Sequence, residues 1–348
     1  MRAPNEFPLR VSLIIPTYNE ARVIHGRFDN LENGNFPKDR LEVVFVDGGS
    51  TDGTPNILKH LAQHAGFDTR IVSQTCRTGF NNAIVEGFAA TNGDIICVTG
   101  AETEYDADAL NRLLAHFANP EIGAVTGRER VRSPQGLSPR LEVAYRDLYD
   151  IVREAESRID SLFDIKGEIS ASRRSIMAHL VEKPELSRKG CIDCCISFQA
   201  KIDGYKAIYE PAATYWETPP KSILDSLKQQ TRRAATLIQN MLMFKGMILN
   251  RKYGYFGMLI MPAHFLMLII LPLLLLIGIV GIAALIVLNP FDCLPLLISL
   301  AALFAIAISH HLQAFLKTQL ALLVAAMGLI VGIETQTFER IESTRRGT

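Results

Sequence analysis

Two sets of carboxylates follow one apolar segment of the sequence, and each has the chemistry to bind a divalent cation. The segment "GDIICVTG" ends at Gly100, and Glu102 comes two residues later. Asp106 and Asp108 form an acid-x-acid pair further on, in "YDADALNRLL". Magnesium prefers carboxylate oxygens and often uses only one or two of them. The pair also stands where a helix is predicted to begin, and aspartate is favoured there as a cap or a first-turn acid.

Three cysteines lie together in "CIDCC", as Cys191, Cys194 and Cys195. Their spacing permits a zinc site with three thiolates, but structural zinc is bound by four ligands and no further Cys or His lies close in sequence. Cysteines in a reducing compartment remain unpaired. We therefore expect free thiols on a cytosolic face, with a zinc site as the less favoured alternative.

The elements that must position these residues alternate between strands and helices from residue 11 to residue 130. Apolar runs with strand character alternate with segments of helical periodicity; the runs are "VSLIIP", "LEVVFVD", "TRIVSQ", "GDIICVTG" and "IGAVTGRERV". This pattern predicts an α/β fold with a mostly parallel sheet covered by helices. Ligands of such open sheets bind beyond the carboxyl ends of the strands. A site is therefore expected at the loops "PTYNE", "DGGSTDGT" and "GAETEY".

The C-terminal part of the sequence has a different composition. Residues 258–288 contain no Asp, Glu, Lys or Arg, and two further apolar runs cover residues 293–309 and 320–333. A helix that crosses a bilayer needs about 20 apolar residues. The first run meets this length, the second meets it with its polar neighbours, and the third is short. We predict a membrane protein, and the N-terminal residues do not read as a signal peptide.

The charge distribution bears on the partners of the chain and on how it crosses the membrane. With 36 basic and 36 acidic residues, the chain has no net charge, which gives no support for nucleic-acid binding. Residues 220–255 are amphipathic, and such a segment either lies in the plane of the lipid headgroups or packs as an ordinary helix on its domain. Basic residues on both sides of the apolar region favour an even number of crossings. Three apolar runs would give an odd number of crossings. The conflict disappears if one run is re-entrant or interfacial, or if the first run, which contains Pro262 and Pro272, forms two elements.

Six fragments of the sequence occur in the order found in a known family. They are "VSLIIPTYNE", "VFVDGGSTDGT", "NAIVEGFAATNGDIICVTGAET", "GEISASRR", "CIDCCISFQAKIDGYKAIYEP" and "QQTRR". Over residues 11–235 the chain resembles the family 2 glycosyltransferases, which have the GT-A fold. Its C-terminal part resembles the membrane-integrated members that make polysaccharides, glycolipids or polyprenyl-linked sugars. The resemblance implies a GT-A domain (1–219), an amphipathic interface segment (220–257), a transmembrane region (258–336) and a cytosolic tail (337–348).

The resemblance implies a site for a nucleotide-diphosphate sugar, with a uridine donor favoured. In many members of the family a second aspartate follows the one that corresponds to Asp47. That position is Gly48 in this sequence. "QQTRR" matches the family's Gln-x-x-Arg-Trp motif with Arg233 in the place of tryptophan, which argues mildly against a long polymer as product. For Arg233, contact with lipid headgroups is the favoured alternative. The residues implied to bind the donor are Pro16, Tyr18, Glu20, Asp47, Asn82, Gln229, Arg232 and Arg233.

The resemblance also distinguishes the two sets of carboxylates. The family's metal-binding triplet directly follows the fourth strand, a position that "GAE" occupies here, so Glu102 matches one acid and Gly100 replaces another. Glu102 and the diphosphate of the donor are expected to bind Mg²⁺ or Mn²⁺. Asp106 and Asp108 are then expected to be the N-cap and a first-turn acid of the following helix.

An aspartate at the start of a helix is the family's catalytic base, and Asp193 matches it. Such a base deprotonates the acceptor hydroxyl as the nucleotide leaves. The acidic neighbour that usually precedes it is Ile192 here, and we expect less polar surroundings to raise the pKa of Asp193. The alternative for Asp193 is a helix-capping role. Gly167 and Glu168 resemble the acceptor-side loop, where glycine permits close approach of the backbone.

The function implied by the resemblance is inverting transfer of a sugar from a nucleotide-diphosphate donor to a lipid or lipid-linked acceptor presented at the membrane. The catalytic domain is expected on the cytoplasmic side. Two alternatives remain, a polysaccharide synthase subunit and a catalytically silent relative that acts as a membrane scaffold. A transporter is not favoured, because the apolar runs contain few charges that would form a substrate path.

Overall fold

The computed structural model describes residues 9–132, 136–183, 185–186, 190–220, 222–289 and 293–332. The strands are β1 (Val11–Thr17), β2 (Leu41–Asp47), β3 (Asp68–Ser73), β4 (Ile95–Val98), β5 (Glu104–Tyr105), β6 (Ile122–Val131), β7 (Ser170–Arg173) and β8 (Lys206–Glu217). They form one sheet in the order β3-β2-β1-β4-β7-β6-β8-β5. The helices before the apolar region are α1 (Ile24–Glu32), α2 (Thr54–Ala62), α3 (Phe80–Ala89), α4 (Ala109–Ala115), α5 (Leu137–Ile159), α6 (Arg174–Val181), α7 (Ile192–Ile202) and α8 (Ile223–Met243).

The sheet is mostly parallel, as predicted. β1 pairs in parallel with β2 and β4, and β2 pairs in parallel with β3. β7, which the sequence pattern did not predict, is antiparallel to β4 and β6. β8 lies parallel to β6 and was also not predicted. The predicted α/β class is confirmed.

Both faces of the sheet are covered, which explains why its strands read as continuous apolar runs. Leu13 and Ile15 of β1 belong to one apolar cluster, and Ile14 between them belongs to the other. The first cluster includes residues of α1, α2 and α4, and the second includes residues of α3, α6, α7 and α8. The side chains of Leu13, Ile14 and Ile15 are all fully buried.

The amphipathic segment forms helix α8, which packs on the domain. Its buried residues include Ser226, Gln229, Ile238 and Met241, and the last two belong to the same apolar cluster as α7. The Ser222 hydroxyl caps the helix by accepting from the backbone N–H of Asp225 at 3.0 Å. Residues 223–243 therefore form a helix packed on the domain, which is one of the two alternatives predicted for this segment.

Three apolar helices follow: α9 (Phe256–Leu288), α10 (Cys293–Ile308) and α11 (His310–Val331). α9 and α11 are long and apolar enough to cross a membrane, and α10 is shorter. Only 11% of the apolar window of α9 is buried, whereas the core helix of a soluble protein would be mostly buried. The expectation that the third run is short is therefore wrong, because residues 310–319 extend its helix toward the N-terminus. The second run borders residues 290–292, which lie outside the described part of the chain, so the expectation for this run stays a prediction.

Two prolines do not divide α9. π-helical turns at Phe256–Ile260 and Leu266–Ile270 precede Pro262 and Pro272. Proline lacks an N–H and clashes with the carbonyl one turn earlier, so a wider turn at that point lets the helix continue. The alternative that the first apolar run forms two elements is wrong. The predicted tail (337–348) lies outside the described residues.

A buried ion pair joins α11 to the rest of the domain. The Nζ atom of Lys317 lies 2.8 Å from Glu142 Oε1 on α5 and 2.7 Å from Ser226 Oγ on α8. The side chains of Lys317 and Glu142 are 7% and 1% exposed. Removing one partner of such a pair leaves a buried charge uncompensated. The contacts of Lys317 therefore join α11 to both α5 and α8.

Candidate active site

A cavity of ≈ 360 Å³ lies at the carboxyl ends of β1, β2 and β4. These strands are neighbours in the sheet and run in the same direction, so the loops that follow them meet at one edge. Residues of α5, α7, α8 and the segment before β7 close the other side. The residues that the sequence predicts for a site and that line this cavity are Pro16, Tyr18, Glu20, Glu102, Gly167, Glu168, Asp193, Gln229, Arg232 and Arg233.

Two predicted donor-binding residues, Asp47 and Asn82, are not among the lining residues. Asp47 is 3% exposed, and its carboxylate accepts from the backbone N–H of Ser50 at 3.2 Å. It thereby shapes the loop after β2, whose Gly48 does line the cavity. The Asn82 amide in the first turn of α3 donates to the carbonyl of Thr78, just before the helix, at 2.8 Å. Both side chains thus bond to segments that border the cavity, and their contact with the donor stays a prediction.

Glu102 lies just beyond β4, at the same edge as the loop after β1. The loop that carries it is braced by Arg27, whose guanidinium donates to Thr103 O at 2.8 Å and to Thr99 Oγ1 at 3.2 Å. Arg27 is 2% exposed. Its role as a brace was not predicted, since a lone arginine on an amphipathic helix gives no signal of burial.

The acid-x-acid pair has structural roles away from the cavity. Asp106 accepts from Trp216 Nε1 at 2.8 Å and from the Thr214 hydroxyl, so it joins the start of α4 to β8. Asp108 accepts from Asn35 Nδ2 at 2.7 Å. Asp108, rather than Asp106, occupies the N-cap position of α4, and its side chain makes no capping hydrogen bond there. The expected assignment of cap and first-turn acid was wrong, although neither residue lines the cavity.

Asp193 lies in the first turn of α7 and is 6% exposed. Its Oδ1 atom accepts from the backbone N–H of Cys194 at 2.9 Å and from the Cys191 thiol. Gly167 packs directly on its other oxygen: a methyl group on Gly167 would lie 1.6 Å from Asp193 Oδ2. Burial, with a smaller contribution from nearby Glu168, raises the pKa of Asp193 to about 6.

α8 presents Gln229, Arg232 and Arg233 to the cavity, because residues three and four apart share a helix face. Arg233 Nη2 lies 3.3 Å from Glu168 Oε1 and 3.5 Å from Glu217 Oε1. It therefore points into the cavity, and the favoured contact of Arg233 with lipid headgroups is wrong. Burial and the adjacent Arg233 lower the pKa of Arg232.

Residues 12–180 match the model described as Glycosyl transferase family 2. The chain belongs to this family. The solved structure of the mannosyltransferase PcManGT from Pyrobaculum calidifontis in complex with GDP-Man and Mn²⁺ has a TM-score of 0.80 and 27% identity, over 95% of this chain and 89% of that chain. The mixed sheet and covering helices are thus those of a GT-A glycosyltransferase.

Two curated relatives match shorter parts. "Probable glycosyltransferase YdaM" of Bacillus subtilis (strain 168) is 29% identical over 230 residues, which are 65% of this chain and 54% of that protein. "Beta-monoglucosyldiacylglycerol synthase" of Synechocystis sp. (strain ATCC 27184 / PCC 6803 / Kazusa) is 35% identical over 124 residues, 35% of this chain and 26% of that protein. The chain spans about half the length of the first of these relatives and about a quarter of the second.

The site of this family 2 glycosyltransferase includes charged residues that the sequence analysis missed. Helix α5 buries Glu142, Arg146, Asp150, Arg153 and Glu156, which recur every three or four residues on one face. A charged face is normally read as solvent-exposed, so the helical spacing was the only signal. The residues that line the cavity from α5, from the segment before β7 and from the end of β8 are Tyr145, Tyr149, Arg153, Asp164, Lys166 and Glu217.

The charges beneath Arg233 form a network. Arg146 Nη2 lies 2.6 Å from Glu129 Oε1 and 3.3 Å from Glu217 Oε2. Burial and the neighbouring Glu129 carboxylate raise the pKa of Glu217 well above its usual range. Arg146 and Lys166 keep Glu129 ionised and hold its pKa well below the usual value, against the effect of its burial. Through Glu217, which contacts Arg233, this network holds the Arg233 guanidinium in place.

Amide side chains hold the segment that leads into Asp193. Asn240 Oδ1 on α8 accepts from Cys191 N at 3.1 Å, and its Nδ2 donates to Cys191 O at 3.4 Å. Asn81 on α3 donates to Gly190 O at 3.1 Å and accepts from Ile192 N at 3.2 Å. Gly190 has φ +75°, and a Cβ there would lie 2.2 Å from Asn240 Oδ1. This clamp fixes the start of α7.

Replacing Asn240 by alanine is expected to lower kcat about tenfold and to leave the affinity for nucleoside diphosphate unchanged. The variant removes the acceptor of the half-buried backbone N–H of Cys191, whereas the carbonyl of Cys191 still accepts from Cys195 N. The unpaired N–H costs up to roughly 1–3 kcal/mol, and the loss of its hydrogen bond lets the start of α7 shift. Kinetics and nucleotide titration measure the two effects, and the acidic limb of the pH profile should move as Asp193 gains solvent. Asn33→Ala, an exposed asparagine at the end of α1, is the control. An unchanged kcat with an unchanged pH profile would show that the clamp does not position Asp193.

Proposed function

We propose that the chain transfers a sugar, with inversion, from a nucleotide-diphosphate donor to a hydroxyl of a lipid acceptor at a membrane. The observation that carries the proposal is that Glu102, Asp193 and Arg232 line a single cavity. These are the three groups that the reaction requires: a ligand for the diphosphate's cation, a base for the acceptor and a positive charge for the leaving group.

In the proposed reaction, the nucleoside contacts the loop after β1 through Pro16 and Tyr18, and Gln229 and Arg232 of α8 face the diphosphate. A bound divalent cation would neutralise charge on the diphosphate. Glu102 fits as its protein ligand, because an exposed carboxylate at a strand end and phosphate oxygens together suit Mg²⁺ or Mn²⁺. The solved mannosyltransferase complex contains Mn²⁺ and a nucleotide sugar.

Asp193 accepts the proton of the acceptor hydroxyl in the proposed step. The acceptor oxygen forms a bond to the anomeric carbon while the bond from that carbon to the diphosphate oxygen breaks, and the nucleoside diphosphate leaves with the bonding electrons. Attack opposite to the leaving group inverts the anomeric centre. A base with a pKa of about 6 is ionised at neutral pH and is basic enough to assist this proton transfer.

A lipid acceptor is supported by the placement of the apolar helices. The first residues of α9, Phe256, Ile260 and Met261, pack in the second apolar cluster of the domain. Most of the rest of α9 extends away from the domain. α11 is fixed to α8, the helix that contributes Arg232 and Arg233 to the cavity. A membrane around α9 and α11 would therefore present lipids beside the domain that contains the cavity. We place the catalytic domain on the cytoplasmic face, in accordance with the basic residues that flank the apolar region.

A screen of donors tests the proposal. Full-length protein in detergent is incubated with a lipid extract, with and without Mn²⁺, and the released nucleoside diphosphate is measured for UDP-glucose, UDP-N-acetylglucosamine and GDP-mannose. We expect one donor to be consumed in a lipid-dependent manner, at least tenfold faster with Mn²⁺. The similar mannosyltransferase complex, which contains GDP-Man, supports GDP-mannose as the donor. The family resemblance of the sequence supports a UDP sugar.

The product distinguishes the alternatives. A single labelled glycolipid supports the proposal, whereas a high-molecular-weight polymer would favour a polysaccharide synthase. Asp193→Asn is the negative control. Absence of donor consumption with every donor and acceptor, in a protein that still binds nucleoside diphosphate, would favour the silent scaffold.

A further inference from the structure

A second set of metal ligands surrounds the start of α7. The Sγ atoms of Cys191 and Cys194 and a carboxylate oxygen of Asp193 all lie within 4.8 Å of one another. Cys191 occupies the N-cap position of α7 and Cys194 lies in its first turn, so the two thiols face each other across one turn. All three residues line the cavity, through which an ion can reach them.

The donor set differs in kind from that at Glu102. Two thiolates and a carboxylate suit Zn²⁺ and other thiophilic ions, whereas Mg²⁺ and Mn²⁺ prefer sites made of oxygen ligands. Zinc forms bonds of about 2.3 Å to sulfur and about 2.0–2.2 Å to oxygen, so three ligand atoms around one ion lie roughly 3.5–4 Å apart. Small movements of the three side chains would reach this geometry. A fourth position would face the cavity.

The third cysteine of the sequence cluster does not belong to this set. Cys195 is 0% exposed and packs in the second apolar cluster of the domain. The three-thiolate zinc site considered from the spacing is therefore not formed, and the cluster contains a carboxylate oxygen of Asp193 instead of the third thiol.

We propose that Cys191, Asp193 and Cys194 bind Zn²⁺ or a similar thiophilic ion, and that this ion inhibits the enzyme. Binding releases the two thiol protons and places the metal on the carboxylate that is proposed to accept the proton of the acceptor. Divalent ions would then act oppositely at two places in one cavity: Mn²⁺ or Mg²⁺ at Glu102 supports transfer, and Zn²⁺ at Asp193 stops it. The binding stands on the cluster alone, and the inhibition rests on the proposed function.

Cadmium titration tests the binding without reference to activity. Metal-free, full-length protein in detergent is titrated with Cd²⁺, and the ultraviolet thiolate-to-metal charge-transfer absorbance is recorded. We expect one equivalent of Cd²⁺ to bind with two thiolates, and Zn²⁺ to displace it. The double variant Cys191→Ser/Cys194→Ser should lose the band. Cys76→Ser/Cys293→Ser, which changes two exposed cysteines outside the cluster, should keep it.

Circular dichroism and binding of nucleoside diphosphate show whether the serine variants are folded, and the single variant Cys194→Ser provides a milder change. A band that is absent from the wild type, or that persists in a folded Cys191→Ser/Cys194→Ser protein, overturns the metal site.

Zinc inhibition is then measured at saturating Mn²⁺, and each variant is compared with its own rate in the absence of Zn²⁺. We expect micromolar Zn²⁺ to inhibit the wild type, excess Mn²⁺ not to relieve the inhibition, and Cys194→Ser to need at least tenfold more Zn²⁺. Cadmium binding at the cluster without any inhibition would refute the inhibitory role and count against Asp193 as the base. No transfer by the wild type under any condition would be a failure of the proposed function, and the charge-transfer band would still decide the metal site.

Discussion

Replacing Asp193 by asparagine is expected to lower kcat by roughly 10²- to 10⁴-fold, the range by which a general base accelerates a reaction. Asparagine has almost the same shape and its Oδ1 can still accept from Cys194 N–H and the Cys191 thiol. The substitution therefore removes the basic group with little change in packing. Binding of nucleoside diphosphate should be unchanged, because the nucleoside contacts proposed for Pro16 and Tyr18 lie in the loop after β1.

The same substitution is expected to stabilise the protein at neutral pH. The folded-state pKa of Asp193, about 6, exceeds its ordinary value of 3.8, so the folded protein binds the proton more tightly than the unfolded chain does. The stabilising effect of this proton is complete below pH 3.8 and is lost as the pH rises through 6. A difference of about two pKa units corresponds to roughly 3 kcal/mol. Asparagine carries no charge to bury, so Asp193→Asn should recover part of this free energy at pH 7–8.

Three measurements check this pair of effects: steady-state kinetics, the free energy of unfolding at pH 5 and pH 8, and the pH dependence of kcat/KM. In the wild type, kcat/KM should fall below about pH 6 as Asp193 becomes protonated. Asp29→Asn, which changes an exposed acid of α1 outside the cavity, is the matched control and should change none of these quantities. An Asp193→Asn protein that transfers sugar at the wild-type rate would eliminate Asp193 as the base.

Much of the fold was predictable because its signals are local. The strands β1 to β4 are short, continuous apolar runs with loops of turn residues behind them, and parallel neighbours must place these loops at one edge. Glu102 and the loop "PTYNE" could be placed at the site on this ground. The rejection of Asp106 and Asp108 as metal ligands rested on the position of the family's metal-binding triplet and, in addition, on a local signal, namely the helix that begins beside them.

The remainder depends on contacts between distant parts of the chain. The charged face of α5 looks solvent-exposed until Glu129, Glu217 and Lys317 are brought to it by β6, β8 and α11. Asn81 and Asn240 reach the start of α7 from two other helices, a relation that no spacing in the sequence expresses. The inward direction of Arg233 likewise follows from its partner Glu168 on another segment. Burial of paired polar groups is a tertiary property, and hydrophobic periodicity does not report it.

Gly167→Ala is expected to reduce kcat as strongly as Asp193→Asn, by at least about 10²-fold, although it changes no chemical group of the reaction. The added Cβ would lie 1.6 Å from Asp193 Oδ2, 2.7 Å from its Cγ and 3.2 Å from its Cβ. Rotation of the carboxylate alone cannot relieve contacts with three successive atoms, so the whole side chain or the start of α7 must move. Such overpacking costs roughly 1–3 kcal/mol of stability.

The effect of Gly167→Ala should be steric and confined to Asp193. Gly167 does not have a positive φ, so its backbone conformation is open to alanine. Gly26→Ala is the matched control: Gly26 lies in α1, and an added methyl group meets no atom within 4 Å. Alanine is a better helix former than glycine, so this control should keep full activity and gain slightly in stability.

A double-mutant cycle identifies the clashing partner. In an Asp193→Ala background the carboxylate is absent, so Gly167→Ala should cost markedly less stability than in the wild type, with a coupling energy of roughly 1–2 kcal/mol. Additive costs would mean that the methyl group meets something else. Retention of wild-type kcat by Gly167→Ala would mean that Asp193 can leave its place without consequence for the reaction. That result would contradict a fixed carboxylate as the base, since a base must lie within hydrogen-bond reach of the proton it accepts.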